Sequence, residues 1–234
     1  MDRRHFNVAG TALLGSFIAL VHARAHALSL GDLTNAEASQ GLKIALEKGA
    51  VAAVAALGKT DGFLGNDKVR IALPSFLEDA AQLLRTFGQG RRIDELVTVM
   101  NRAAESAVPM AKDLLLSAVK SMSISDAKKI LSGGDTSVTA FFAEKTRAPL
   151  GIKFLPAVTL STQKVGLAEK YNHVASKVAD LGLMKKEEAN IEQYVTNKAL
   201  DGLFVMIGEE EKKIRRDPVH AGSGLLEKVF GALR

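Results

Sequence analysis

Helix-start and helix-stop residues punctuate this chain, and nowhere between them does a period-two apolar alternation persist long enough to build a sheet. Thr34-Asn35-Ala36-Glu37 reads as a capping box, hydroxyl and carboxylate satisfying the first free amides of an alanine-rich helix that stops at Gly58. Ser75-Phe76-Leu77-Glu78 is a second box, opening a helix that ends near Gly88-Gln89-Gly90. A helical stretch from Ile93 to about Met122 is interrupted at Pro109, which lacks an amide and crowds the preceding turn. Ser123 to Asp126 caps a short helix that runs to Gly133-Gly134, and Asp135 caps the next, to about Arg147. Pro149 and Pro156 are expected to break the segment to Gly166. Leu167–Leu181, Ala189–Arg216 and Leu225–Leu233 complete the set, with Asp217-Pro218 ending the long one. Asp61 to Asp67 is a glycine-punctuated loop, and Val69–Leu73 is an extended connector or one short strand closed by Pro74. The fold class is all-α, an irregular multi-helix bundle of about eight or nine helices.

The amino end adds an address. Arg3-Arg4-x-Phe6 precedes an uncharged stretch from Val8 to Val21, and Ala25-His26-Ala27 offers a small-x-small cleavage site. That stretch is shorter than the roughly 18 residues a membrane anchor needs. The paired arginines, the dilution of the apolar stretch by Gly10, Thr11, Gly15 and Ser16, and Arg24 beside the cleavage site point to the twin-arginine route. Residues 1–27 are therefore expected to be a cleavable export signal, and 28–234 a single all-α domain without a transmembrane segment, in the periplasm. The twin-arginine export machinery is an expected partner. The absence of cysteine rules out disulfides and fits folding before transport.

Subtracting the signal narrows the chemistry. With Arg3, Arg4, Arg24 and Asp2 gone, the net charge falls from +5 to about +3, too small for a nucleic-acid footprint on this length. His5, His22 and His26 leave as well, so only His173 and His220 remain. Two histidines without cysteine cannot build a four-ligand zinc site. No glutamate has a histidine three residues on, as helical di-iron sites require; Glu169 and His173 are four apart, the spacing of a helix-surface contact. Phosphate-loop and nucleophile-elbow motifs are absent, and no cofactor or metal is implied. Carboxylate-pair catalysis stays open, because its partners need not be near in sequence.

Three polar clusters stand out. Asn101, Arg102 and Glu105 precede Pro109, with Asn101 and Glu105 on one helix face among Val97, Met100 and Val108. A buried polar set must be satisfied by partners or by a ligand, so this is either a structural network at the kink or a site. Lys198 and Asp201, three apart, flank Gly202 inside the last long helix, where glycine costs about 1 kcal/mol against alanine and so implies close packing or a ligand. Their plain reading is an ordinary ion pair. Glu209 to Asp217 is a charge run that reads as a solvated helix end with a Glu211–Arg215 pair. The phenylalanines at 63, 76, 87, 141, 142, 154, 204 and 230 are mostly core, or line an apolar cavity.

The chain resembles an exported bacterial all-helical family of unknown function, domain of unknown function 4197. The resemblance lies in Glu37-Ala38 with Gly41-Leu42-Lys43, Asp61-Gly62-Phe63-Leu64-Gly65-Asn66, Asn101-Arg102-Ala103-Ala104-Glu105 with Pro109, Asp126 to Gly133, Lys198 to Phe204, and Ile214-Arg215 with Asp217-Pro218. These stretches follow in order along almost all of the mature chain. Ala72 departs from the pattern, where the family commonly has proline. The resemblance implies an all-α envelope protein and carries no known activity or catalytic residues. No activity is legible, so three functions are expected in order. The first is a non-enzymatic periplasmic protein that binds an apolar or amphipathic small molecule, or an envelope protein, through Asn101, Arg102, Glu105, Lys198 and Asp201. The second is an enzyme in which Glu105, Asp201 or Glu211 converges with Arg102 or Arg215 on an envelope polymer or metabolite. The third is a structural assembly protein.

Overall fold

The computed structural model describes residues 35–88, 90–134, 136–163, 171–172, 175–176 and 190–217. The expected signal, Thr34, Asp135, His173, His220, Pro218 and the helix Leu225–Leu233 lie outside them, as does most of Leu167–Leu181. The described residues are helical with no strand. In chain order they form α1 (Asn35–Leu57), α2 (Ser75–Thr86), α3 (Gly90–Ala107), a 3-10 turn (Val108–Ala111), α4 (Lys112–Lys120), α5 (Ile124–Ser132), α6 (Ser137–Gln163) and α7 (Ile191–Arg216).

Local chemistry accounts for most boundaries. The α3 helix ends where Pro109 enters, and the chain tightens into the 3-10 turn before α4. Ser123 caps α5 by accepting from the Asp126 amide, while the Asp126 carboxylate accepts from the Ser123 amide at 3.0 Å. The Ser123 hydroxyl, donating to the carboxylate at 2.7 Å, and after it the Ser123 amide hold the Asp126 carboxyl below its ordinary value. Gly88 takes a positive φ of 74° just beyond α2.

The count of about eight or nine helices is not supported, and α6 shows one reason. It runs unbroken through Pro149 and Pro156. Both prolines are exposed, and so are Lys145 and Ile152, four residues earlier, so the amides the prolines lack are lost on the solvent side of the helix. The opposite face buries Phe142, Thr146, Leu150, Phe154 and Val158 at four-residue spacing. The four large apolar side chains of that stripe contribute about 1.5–3 kcal/mol each, together enough to offset roughly 3 kcal/mol for each of the two prolines.

The α7 helix is the hub, packing against α6, α1 and α3. Its core side chains include Val195, Leu200, Leu203, Phe204 and Ile207. The α1 helix contributes Leu42, Leu46, Ala50, Ala53 and Leu57 to the same core. Phe63, Phe142 and Phe154 are completely buried in it. No helix of the described residues is long and apolar enough to cross a membrane.

Candidate functional site

The connector from Gly58 to Pro74 is wedged between α3 and α7, and the predicted clusters meet on it. Its loop turns at Asp61, which has a positive φ of 63°. At Gly62 an added Cβ would lie 2.3 Å from the Leu57 carbonyl oxygen, so only glycine permits this return past α1. Residues 66–70 close a turn, the Val69 and Arg70 amides both donating to the Asn66 carbonyl at 3.0 and 2.8 Å, and an irregular segment follows to Pro74. Across the two, Val69, Ile71 and Leu73 are buried while Lys68, Arg70 and Ala72 are exposed, so burial alternates as in a strand although the segment joins no sheet.

Asn101 takes the place of the missing sheet neighbour. The Ile71 amide donates to its Oδ1 at 2.8 Å, and its Nδ2 donates to the Ile71 carbonyl at 2.9 Å and the Val97 carbonyl at 2.8 Å. The side chain is wholly buried and its amide is fully occupied.

Glu105 secures the loop one turn further on. Its Oε1 accepts from the Phe63 and Leu64 amides at 3.0 and 3.1 Å. Its Oε2 accepts from Arg102 Nη1 at 2.6 Å, and Arg102 Nη2 reaches Asp61 Oδ1 at 2.8 Å. Glu105, and after it Asp61, raises the Arg102 pKa above its ordinary value. Asn101, Arg102 and Glu105 are thus brought together around the connector, where the protein's own groups satisfy them.

Lys198 and Asp201 lie on the other side of the connector, in a cleft of about 240 Å³. Residues 68–72 form one wall; Tyr194, Lys198, Asp201, Gly202 and Val205 of α7 form the other. The two charged residues do not pair with each other as expected. Asp201 accepts from Arg147 Nη2 of α6 at 2.6 Å, and the Lys198 ammonium sits 5.7 Å from the centre of the Tyr194 ring. Arg147 also lies over Phe204, 5.7 Å from its ring centre, so the side chain that draws Asp201 away is itself held by α7. Tyr194 donates its hydroxyl to the Ala72 carbonyl at 3.0 Å, closing one end of the cleft. At the other end Lys68 pairs with Glu209, whose carboxyl is lowered first by that bond and then by Lys212. A lowered carboxyl keeps this tie above the ordinary carboxylate range and loses it as pH falls through the lowered value.

Gly202 reflects close packing. A Cβ there would lie 2.6 Å from Phe63 Cε1 and 3.2 Å from Val69 Cβ. Gly202→Ala gains about 1 kcal/mol of helix propensity but forces apart a ring whose backbone is already bonded to Glu105. Overpacking of this kind costs about 1–3 kcal/mol, so a net loss of roughly 1 kcal/mol is expected in urea unfolding. A variant more stable than the parent would show that the ring yields freely.

Glu211 and Arg215 pair at 2.8 Å, but not at a solvated helix end: Glu211 is buried, and Arg215 Nη2 also donates to Ser137 Oγ at 3.1 Å. This pair ties α7 to the start of α6. Of the carboxylates expected to meet Arg102 or Arg215 in a cleft, Glu105 and Glu211 do meet those arginines but as closed ion pairs, and Asp201 pairs with Arg147, at three separate places. An apolar crevice between α1 and α7, beside Leu46 and Ile207, measures about 10 Å³, at most the room of one water. Among the described residues no three His, Asp or Glu side chains are placed to hold a metal.

The sequence reading missed Arg70, Lys68 and Tyr194. Val69–Leu73, expected as an extended connector or one short strand, forms no strand and begins inside a turn; the usable signal was the alternation of Val69, Arg70 and Ile71, which buries 69 and 71 and exposes 70.

The family model described as Protein of unknown function (DUF4197) matches residues 32–231. The chain belongs to this family. The match spans the connector, both clusters and the cleft, so the site is part of the DUF4197 domain itself. Neither the curated proteins nor the solved structures hold a match to the chain.

Proposed function

We propose that this DUF4197 protein is exported through the twin-arginine route, loses residues 1–27, and works in the periplasm as a single helical domain that binds a ligand in the cleft between the connector and α7. The observation that carries the binding reading is the cleft's construction. One wall is the turn and irregular segment of residues 68–72, fixed from behind where Asn101 bonds Ile71, and the other is a well-packed helix. The site is thereby preformed, and little ordering entropy opposes a ligand. The small apolar crevice and the buried phenylalanines favour an amphipathic ligand held by its polar end over one swallowed by the core. Enzymatic use of Glu105, Asp201 or Glu211 would first have to release each from its arginine.

Two experiments test this. Cell fractionation should find a periplasmic protein starting near Leu28, and Arg3→Lys with Arg4→Lys should leave it full-length in the cytoplasm; processing that ignores the paired arginines would refute the route. Native mass spectrometry of protein taken from its own cells should show a bound small molecule that Val205→Trp, which fills the cleft from its exposed rim, displaces. Protein that arrives empty would refute the binding reading.

A further inference from the structure

Resting on the reading of the cleft as the binding surface, we propose that it takes a phosphate group of its ligand, held between the Arg70 guanidinium and the Lys198 ammonium. The charges along the cleft are unequally matched. Lys68 is tied to Glu209, and Asp201 to Arg147. Arg70 and Lys198 are left facing the same space from opposite walls with no carboxylate partner among the described residues. Two exposed cations on the walls of one cleft, neither paired with a carboxylate, repel one another, and an anion between them relieves that repulsion.

The shape favours phosphate over a single carboxylate. One guanidinium alone satisfies a carboxylate with two parallel hydrogen bonds. Donors arriving from two walls suit a tetrahedral oxyanion, with the planar fork of Arg70 on one edge and the ammonium of Lys198 as a point charge on another. The wall that carries Arg70 cannot retreat, because Asn101 holds both backbone groups of the next residue. At about 240 Å³ the cleft lies below the roughly 300–1,000 Å³ of pockets that enclose drug-sized ligands. It admits a headgroup and leaves any attached chain outside, beside the exposed Val205.

The phosphate belongs either to a soluble phosphate compound or to a lipid headgroup, and one experiment distinguishes them. Isotope-labelled protein is titrated with inorganic phosphate, with phosphatidylglycerol vesicles and with neutral phosphatidylcholine vesicles, while the amide resonances of residues 70–72 and 198–202 are followed. The parallel variant is Arg70→Gln with Lys198→Gln, two exposed changes expected to leave the urea midpoint in place. Saturable shifts with inorganic phosphate, weakened at least tenfold in the variant, assign a soluble source. Response to phosphatidylglycerol vesicles alone, lost in the variant, assigns a lipid source. Response retained in the variant overturns the phosphate assignment while the cleft remains a binding surface; an equal response to both kinds of vesicle that the variant loses still assigns a lipid source, because phosphatidylcholine carries the same phosphodiester. No response to any probe also overturns the assignment, and the ligand found by native mass spectrometry then decides the binding reading separately.

Discussion

Asn101→Leu is expected to remove about 3–5 kcal/mol of stability. Leucine matches the asparagine in size but neither donates nor accepts. The Ile71 amide and carbonyl, both bonded to Asn101 in the wild type, would stay buried without partners. Each such group costs about 1–3 kcal/mol, because its hydration is lost and nothing replaces it. The Val97 carbonyl loses only a second donor, since it also belongs to the α3 ladder. Against a typical total of about 5–15 kcal/mol, the deficit is a large fraction. Urea unfolding measures it, and hydrogen exchange at the Ile71 amide locates it, because the connector should open before the helices. Arg70→Gln on the exposed side of the same connector should stay within about 0.5 kcal/mol of the parent. If the Asn101 variant does the same, the side chain is not what holds the connector.

How much of this was legible from sequence depends on how far apart the partners lie. The α5 cap is written in four consecutive residues, and Ser123 with Asp126 closes it as read. Pro109 likewise acts on its own turn. The prolines of α6 obey a longer rule. Their local penalty is real, but the stripe from Phe142 to Val158 decides the matter, and its burial depends on α3 and α7 lying alongside. Asn101 and Glu105 were recognisable as polar groups among apolar neighbours. Their partners were not, because they are backbone amides 30 and 42 residues away, which carry no side-chain mark. Lys198 and Asp201 show the reverse error: helical spacing predicted a pair, and Arg147, 54 residues from Asp201, offered a better one. The cleft was hidden for the same reason. It exists only where the exposed side of the connector meets one face of α7, and neither half shows it alone.

Glu105 tests which of two linked interactions fixes the loop. Its side chain is 6% exposed, whereas that of its partner Arg102 is 38% exposed. The charge pair is therefore half in water, and such pairs are worth about 0–1 kcal/mol. The two backbone amides on Oε1 have no comparable access to water, since Phe63 is wholly buried and Leu64 partly so. Glu105→Ala should cost about 3–4 kcal/mol, most of it from stranding the Phe63 and Leu64 amides. Glu105→Gln keeps an oxygen for those amides but turns an amide donor toward the Arg102 guanidinium, so about 1–2 kcal/mol is expected. Arg102→Ala should cost least, about 1 kcal/mol, since the carboxylate retains both amides. Urea unfolding should therefore rank Glu105→Ala as the most damaging, Glu105→Gln next and Arg102→Ala last. Should Arg102→Ala match Glu105→Ala, the guanidinium bridge to Asp61 would be the true clasp, and Glu105 only its counter-ion. The distinction reaches the cleft, because Glu105 fixes Phe63, Phe63 packs on Gly202, and Gly202 lies between the wall of α7 and the connector. A loosened loop should therefore weaken ligand binding in the same order as it weakens the fold.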